Sequence, residues 1–257
     1  MIVTTAGRTT AEMIVSAKQV AEELQCRFEK RKEYSIVNIA QTFQDDVLVV
    51  GKNRLEIYFR NGGESFFFHP NSASFRMKRL LRGENDPFLE AAKLETGMSM
   101  LDCTLGLASD SILASYAVGE KGIVTGIEGN QWIAYLVKAG LQKWKSDLEE
   151  MNEAMRRISV IYSEHLAYLK QCHDQSFDVV YLDPMFEQTV IQSDGIRGLK
   201  QFALYEDIGK ETIKEALRVA NKRVILKDHF RSTRFETYGF TVYRRKSASF
   251  HFGVLEK

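Results

Sequence analysis

From Asp86 to the carboxyl end, the chain repeats one pattern: a short apolar run without polar alternation, then a helix-forming segment. The runs are "MSMLDC", "GIVTGIE", "ISVIY", "FDVVYLD" and "RVILK". A strand with one wet face alternates polar and apolar residues. These runs do not, so both their faces are covered, and the arrangement that covers both is a parallel sheet between helical layers. Helices are expected at Asp110–Val118, Gln131–Trp144 and Leu204–Ala220. The last two strands, "FTVYRRK" and "FHFGVLEK", are separated by too few residues for a helical crossover. They are expected to pair as an antiparallel hairpin at the end of an otherwise parallel sheet.

The amino-terminal part has a different texture. "MIVTT" predicts a short strand, and Thr9 to Lys32 carries apolar residues at helical spacing with Thr9 or Thr10 as cap. "DVLVVGKNRLEIYFRNGGESFFFHP" predicts three strands, with turns at Gly51–Asn53 and Asn61–Gly63. The expected organisation is a small α/β domain over residues 1–70, a basic connector over 71–85 containing a helix from Ser72 to Arg82, and a larger domain over 86–257.

Composition removes several classes of function. No apolar run approaches the ~20 residues of a membrane span, and the start lacks a basic-then-apolar leader, so the expected compartment is the cytoplasm and no membrane partner is expected. Cys26, Cys103 and Cys172 form no paired motif and read as buried free thiols. The five histidines show no ligand spacing, so no metal is expected. A formal net charge of +1 gives no global attraction for a polyanion. Any nucleic-acid surface must be local, and the candidate patches are "FRMKRLLR" (Arg76, Lys78 and Arg79 among them), Arg156 with Arg157, Arg197 with Lys200, and "YRRK". Each alone is more often a solvated face.

In an open parallel sheet, ligands sit beyond the carboxyl ends of the strands. The first strand runs into "LDCTLGLASD", where Asp102 precedes a small-residue loop through Thr104, Gly106, Ala108 and Ser109 that lets a ligand approach the backbone. Glu128 ends the second strand about 20 residues later, where an acid can accept both hydroxyls of a ribose. Asp110 stands in the first turn of the following helix, where a dinucleotide would place its pyrophosphate and a carboxylate would repel it. Asp102 and Asp110 suit an ammonium better. A ligand with a ribose and an α-amino group, such as S-adenosylmethionine, satisfies the set. Asp110 could instead be a helix cap and dipole partner. After the third strand, Glu164 could accept from an adenine amino group beside His165, or serve as a first-turn acid of a helix capped by Ser163.

The fourth strand ends in Asp183, Pro184, Met185 and Phe186. An exocyclic base amine is a poor nucleophile whose methylation needs a hydrogen acceptor, a stacking surface and alignment with the methyl donor. Asp183 supplies the acceptor, Pro184 fixes the chain without a competing N–H, and Phe186 offers a ring worth ~1–3 kcal/mol to a stacked base. A turn with Phe186 as a core plug is the alternative.

With "FRMKRLLRGENDPFLEAAKL", "LDCTLGLASD", "GIEGN", "VVYLDPMF" and "RVANKRVILK", the chain resembles bacterial methyltransferases that modify guanine N2 in 16S ribosomal RNA. The resemblance implies a class I, Rossmann-like seven-stranded sheet, mostly parallel with an antiparallel last strand. It implies S-adenosylmethionine contacts by Ser109, Asp110, Glu128, Gly129, Glu164, His165 and Asp183, and RNA, as 16S rRNA or the small subunit, as partner. Two departures stand out: Ala108 and Ser109 where the family more often shows Gly and Arg, and "EQTVIQSDGIRGLKQ", which lacks a Pro- and Lys-rich run. Acceptors other than this RNA (DNA, another RNA, protein or a small molecule) and a binding module without catalysis stay open. The sequence does not give the oligomeric state.

Overall fold

A computed structural model describes residues 1–184, 208–246 and 248–257. The described chain divides into two compact units. The first contains Met1–His69 and Tyr135–Trp144, and the second contains Pro70–Ala134 with residues 145–184 and 208–257.

The first unit holds a five-stranded sheet of order β2-β1-β3-β4-β5, formed by β1 (Ile2–Thr5), β2 (Arg27–Phe28), β3 (Val47–Val50), β4 (Leu55–Tyr58) and β5 (Phe66–Phe67). β1 is central and parallel to both β2 and β3, while β4 and β5 continue antiparallel. The three expected strands between Asp46 and Pro70 are present. The long helix expected to Lys32 is not. Helix α1 (Ala11–Glu23) is capped by Thr10, whose side chain accepts from the Met13 N–H. It stops because Gln25 turns left-handed at φ 50° and Cys26 N–H closes back on Ala21 O, which frees Arg27 and Phe28 to pair with β1. Helix α2 (Ile36–Phe43), which the sequence reading missed, is capped by Ser35 and lays Ile39 and Ala40 on the sheet.

The second unit carries the seven-stranded sheet, of order β11-β12-β10-β9-β6-β7-β8. Its strands are β6 (Ser99–Asp102), β7 (Ile123–Glu128), β8 (Ser159–Tyr162), β9 (Phe177–Leu182), β10 (Ala220–His229), β11 (Thr241–Tyr243) and β12 (Phe250–Glu256). β6 to β10 are parallel, whereas β12 runs antiparallel to β10 and to β11. The sequence expectation of a mostly parallel α/β sheet ending in a hairpin is met. Intervening helices are α3 (Asn71–Leu80), α4 (Pro87–Ala92), α5 (Ser109–Val118), α6 (Gln131–Lys143), whose residues from Tyr135 belong to the first unit, α7 (Glu149–Arg157), α8 (His165–Gln171), α9 (Lys210–Val219) and the short α10 (Arg234–Thr237). The expected helix from Leu204 begins outside the described residues, and its described part is α9.

The continuous apolar runs explain the layering. Leu101, Val180, Leu182, Val224 and Leu226 are fully buried under Ile213, Ala216 and Val219 of α9. Each such side chain contributes about 1.5–3 kcal/mol relative to exposure. The parallel register sets Asp102 opposite Gly126 and Tyr181, and Glu128 opposite Tyr162. The polar ends of β6, β7, β8 and β9 therefore lie along one edge.

Candidate active site

β6 delivers Asp102 to this edge, and the chain then bends through a short loop into α5. Gly106 (φ 48°) and Ala108 (φ 60°) both adopt left-handed backbone there, and the loop returns to the sheet where Leu105 N–H donates to Ile127 O. Asp102 is buried and faces inward: Oδ1 accepts from Thr104 N–H at 3.0 Å and Oδ2 from the Ser111 hydroxyl at 2.6 Å. Burial pushes its carboxyl up to about 7, against those two hydrogen bonds and with help from the nearby Asp110 and Asp183 charges.

Asp110, in the first turn of α5, is 7% exposed. Its Oδ1 accepts from Arg76 Nη1 at 2.6 Å, and its Oδ2 accepts from Tyr181 Oη at 2.8 Å and Lys227 Nζ at 3.2 Å. Burial disfavours the ionised form, but Lys227 and Arg76 outweigh it and hold the carboxyl well below its ordinary range. Lys227, from β10, also donates to Asp183 Oδ2 at 2.6 Å and lies 5.1 Å from the centre of the Phe250 ring. Burial would lower the lysine, and the Asp110 and Asp183 charges raise it instead. Asp183 is fixed from behind by its own N–H, which donates to Thr104 Oγ1 at 2.6 Å. Its carboxyl is pushed up to about 6, because burial and the Asp110 charge together exceed the pull of Lys227.

Arg76 closes the row. Its Nε and Nη2 form a fork on Asp86, each at 2.8 Å, and Asp86 also caps α4 through the N–H groups of Phe88 and Leu89. The charges alternate along Asp86, Arg76, Asp110, Lys227 and Asp183, so each of these buried or half-buried ions has an opposite neighbour.

The tips of β7 and β8 are built differently. Glu128 is half-buried, with Oε2 accepting from Gly106 N–H at 3.2 Å and Oε1 from Asn130 N–H at 3.0 Å. Glu164 is the N-cap of α8, accepting from Leu166 and Ala167 N–H, and its side chain is 41% exposed. The cap expected at Ser163 is therefore Glu164 itself. His165 is buried, 3.6 Å from Glu164 Oε1 through Nδ1. Ser109 and Gly129 are half-buried beside the Thr104–Ala108 loop and Glu128 in sequence.

The structure thus brings Asp102, Thr104, Gly106, Ser109, Asp110, Glu128 and Asp183 to one edge, with Asp102 and Asp110 turned to internal partners where the sequence reading had them open to a ligand. Arg76 is a correction. Expected to meet substrate, it is half-buried with its guanidinium engaged by two carboxylates, because a cation so far withdrawn from water is stable when paired. Lys78 is exposed and Arg79 pairs with Glu84 at 2.7 Å. Pro184 follows Asp183 at the edge, whereas Phe186, Arg197 and Lys200 lie outside the described residues. The sequence reading missed Lys227 and Tyr181. The available signals were a lysine closing the apolar run "RVILK" and a hydroxyl inside "FDVVYLD". Among the described residues no cluster of His, Cys, Asp and Glu is arranged to hold a metal, and no helix is long and apolar enough to cross a membrane.

A family model described as "Putative SAM-dependent methyltransferase" matches residues 32–239. The uncharacterized protein YpiP of Bacillus subtilis is 47% identical over 255 residues, 99% of each chain. The ribosomal RNA small subunit methyltransferase J of Buchnera aphidicola subsp. Schizaphis graminum is 29% identical over 188 residues, which cover 70% of this chain and 74% of that protein. Among solved structures, the SAM-dependent methyltransferase NGO1261 from Neisseria gonorrhoeae matches with a TM-score of 0.62 at 15% identity, over 100% of this chain and 96% of that one, a likeness of fold.

Proposed function

The chain belongs to the SAM-dependent methyltransferase family, and from that premise we propose that it methylates the exocyclic N2 amine of a guanine in small-subunit ribosomal RNA in the cytoplasm. S-adenosylmethionine is the cofactor. The residues suit it: the half-buried Glu128, oriented by two backbone N–H groups, is an acceptor for ribose hydroxyls, and the left-handed turns at Gly106 and Ala108 bring backbone close to its space. Ser109, Gly129 and Glu164 would complete the cradle, Glu164 toward an adenine amine. When bound, the cofactor supplies a methyl group on a positively charged sulfur.

The observation that carries the reading is the mounting of Asp183. Lys227 grips one carboxylate oxygen, Thr104 grips the backbone behind it, and the side chain remains 24% exposed. A carboxylate so held accepts a hydrogen from the incoming amine and keeps its lone pair directed at the methyl carbon. As the nitrogen–carbon bond forms and the carbon–sulfur bond breaks, the amine becomes acidic and its proton leaves, so no strong base is needed. Positioning of this kind is worth up to ~7–11 kcal/mol of the barrier. Asp110 and Arg76 serve by ordering Lys227, and Phe186 is proposed as the stacking ring.

Support for the acceptor comes from the relatives named ribosomal RNA small subunit methyltransferase J. The test is nucleoside mass mapping of 16S rRNA from a strain lacking the gene, with methylation of that RNA by the purified protein. Loss and restoration of one N2-methylguanosine is expected; an intact modification pattern together with no transfer in vitro overturns the reading.

A further inference from the structure

We infer that the amino-terminal unit carries its own site for a phosphorylated ribonucleotide, either free or within an RNA strand. Beyond the carboxyl ends of β1 and β2 lies a cavity of about 470 Å³, within the usual size of ligand pockets. Its lining includes Arg8, Lys30, Arg31 and Lys32 against one carboxylate, Glu33. In a chain whose formal net charge is +1, this is a local concentration of positive charge.

Two of these cations stand where the backbone argues against a side chain. Arg8 (φ 53°) and Lys32 (φ 46°) are left-handed, a conformation that glycine adopts without cost and other residues rarely adopt. Arg31 is the frame: its Nε donates to Tyr34 O and its Nη1 to Thr5 O, tying the loop after β2 to the end of β1. Thr9, also in the lining, is engaged with Thr5 Oγ1 and Ala6 O. Arg8, Lys30 and Lys32 are exposed, and the lining includes Tyr34, a residue 52% exposed. Cations around a phosphate, with an open aromatic face for the base, is the chemistry of nucleotide recognition. The site needs neither Asp183 nor the cofactor, so it stands or falls apart from the methylation reading.

The experiment is calorimetric titration of the full chain, saturated with S-adenosylmethionine, with adenosine 5′-monophosphate and separately with an unphosphorylated oligouridylate. The comparison is with a double variant, Arg8→Gly and Lys32→Gly, which removes two charges where glycine fits the backbone. Binding of either probe by the parent, weakened at least about tenfold in the variant with an unchanged or higher melting temperature, supports the site; the salt slope for the oligonucleotide should also fall by about one per lost phosphate contact. The probe that binds identifies a free nucleotide or a strand as the source. Equal binding by parent and variant, or no binding of either probe, overturns the inference. Should the double variant melt lower, Lys30→Gln is read by the same criteria.

Discussion

The two halves of the catalytic sheet's edge solve one problem in opposite ways. At the tips of β6, β9 and β10, Asp102 and Asp110 are buried and Asp183 is half-buried, and the last two are neutralised by side-chain cations brought from α3 and β10. At the tips of β7 and β8, Glu128 and Glu164 are partly exposed and satisfied by backbone N–H groups, Glu164 by those of α8 and Glu128 by Asn130 of its own loop and Gly106 of the loop after β6. Side-chain ion pairs hold charge deep in the protein but bind its members to one another. Backbone donors orient a carboxylate while leaving it at the surface. On the proposed reading, the first half positions one acid and the second presents acids to a ligand.

The sharpest way to break this contrast is Asp110→Ala. It leaves the half-buried Arg76 with Asp86 alone and Lys227 with Asp183 alone, and removing the shared, buried partner of such a network costs about 3–5 kcal/mol. Urea denaturation measures it. A loss under about 1 kcal/mol would mean that the row is solvated and that its burial does not matter.

Lys227→Met is expected to spare the fold more and to strike catalysis. Asp183 would keep its burial and the Asp110 repulsion while losing its cation, so its carboxyl would rise above the present value of about 6. Turnover at neutral pH should fall about 100-fold, the scale on which loss of one preorganised electrostatic contact acts, with little change in cofactor affinity. Equal losses in both would make Lys227 a packing residue.

The parent enzyme carries the same logic in its pH profile. Asp183 must be ionised to accept, so turnover should decline as pH falls through about 6, and in Lys227→Met the decline should begin at higher pH. Folding moves the other way. A carboxyl raised in the folded state contributes stability below its ordinary range that is lost as pH rises through the folded value, about 6 for Asp183 and about 7 for Asp102. Asp110, held low, contributes stability above the ordinary carboxylate range that disappears only on stronger acidification. Between pH 7 and 5, these groups predict falling activity without falling stability. Parallel loss of both would show that the acid limb reports unfolding.

On the other half, Glu128→Gln tests presentation. The amide nitrogen would meet a backbone donor, Gly106 or Asn130 N–H, where an acceptor now stands. Cofactor affinity should fall about tenfold, roughly 1.4 kcal/mol, with the acid limb of turnover unmoved. A shifted limb would join the two halves into one network and erase the distinction.

How much of this the sequence carried follows the same division. The parallel sheet, the terminal hairpin and the edge acids were legible, because burial on two faces forces continuous apolar runs and each acid directly follows its run. The role of Lys227 was not: its partners Asp183 and Asp110 lie 44 and 117 residues away, and only the β9–β10 and β6–β9 pairings bring them together. Arg76 misled for a related reason. "FRMKRLLR" is a basic run in sequence, yet its second residue turns inward to Asp86 and Asp110, which no local pattern encodes. The end of α1 was missed because it depends on a left-handed Gln25, a conformation that glycine or asparagine would have announced.

The smallest expected effect lies where the two halves share a loop. Ala108 is wholly buried, stands at the N-cap of α5 at φ 60° and leads into Asp110 of the deep half, while Gly106 in the same loop serves Glu128. A left-handed alanine costs roughly 1–2 kcal/mol. Replacing it with glycine relieves that, but gives back about 0.4–1 kcal/mol in unfolded-chain entropy and about 0.8 kcal/mol for the buried methyl. The three nearly cancel, so Ala108→Gly should change stability by less than about 1 kcal/mol in either direction, and cofactor affinity by less than a factor of about three. Thermal and chemical denaturation of the variant measure the first and calorimetry the second. A loss near 3 kcal/mol would mean that the methyl group, rather than the turn, holds the loop against the sheet, and that the departure from glycine at this position is a packing choice on which both halves depend.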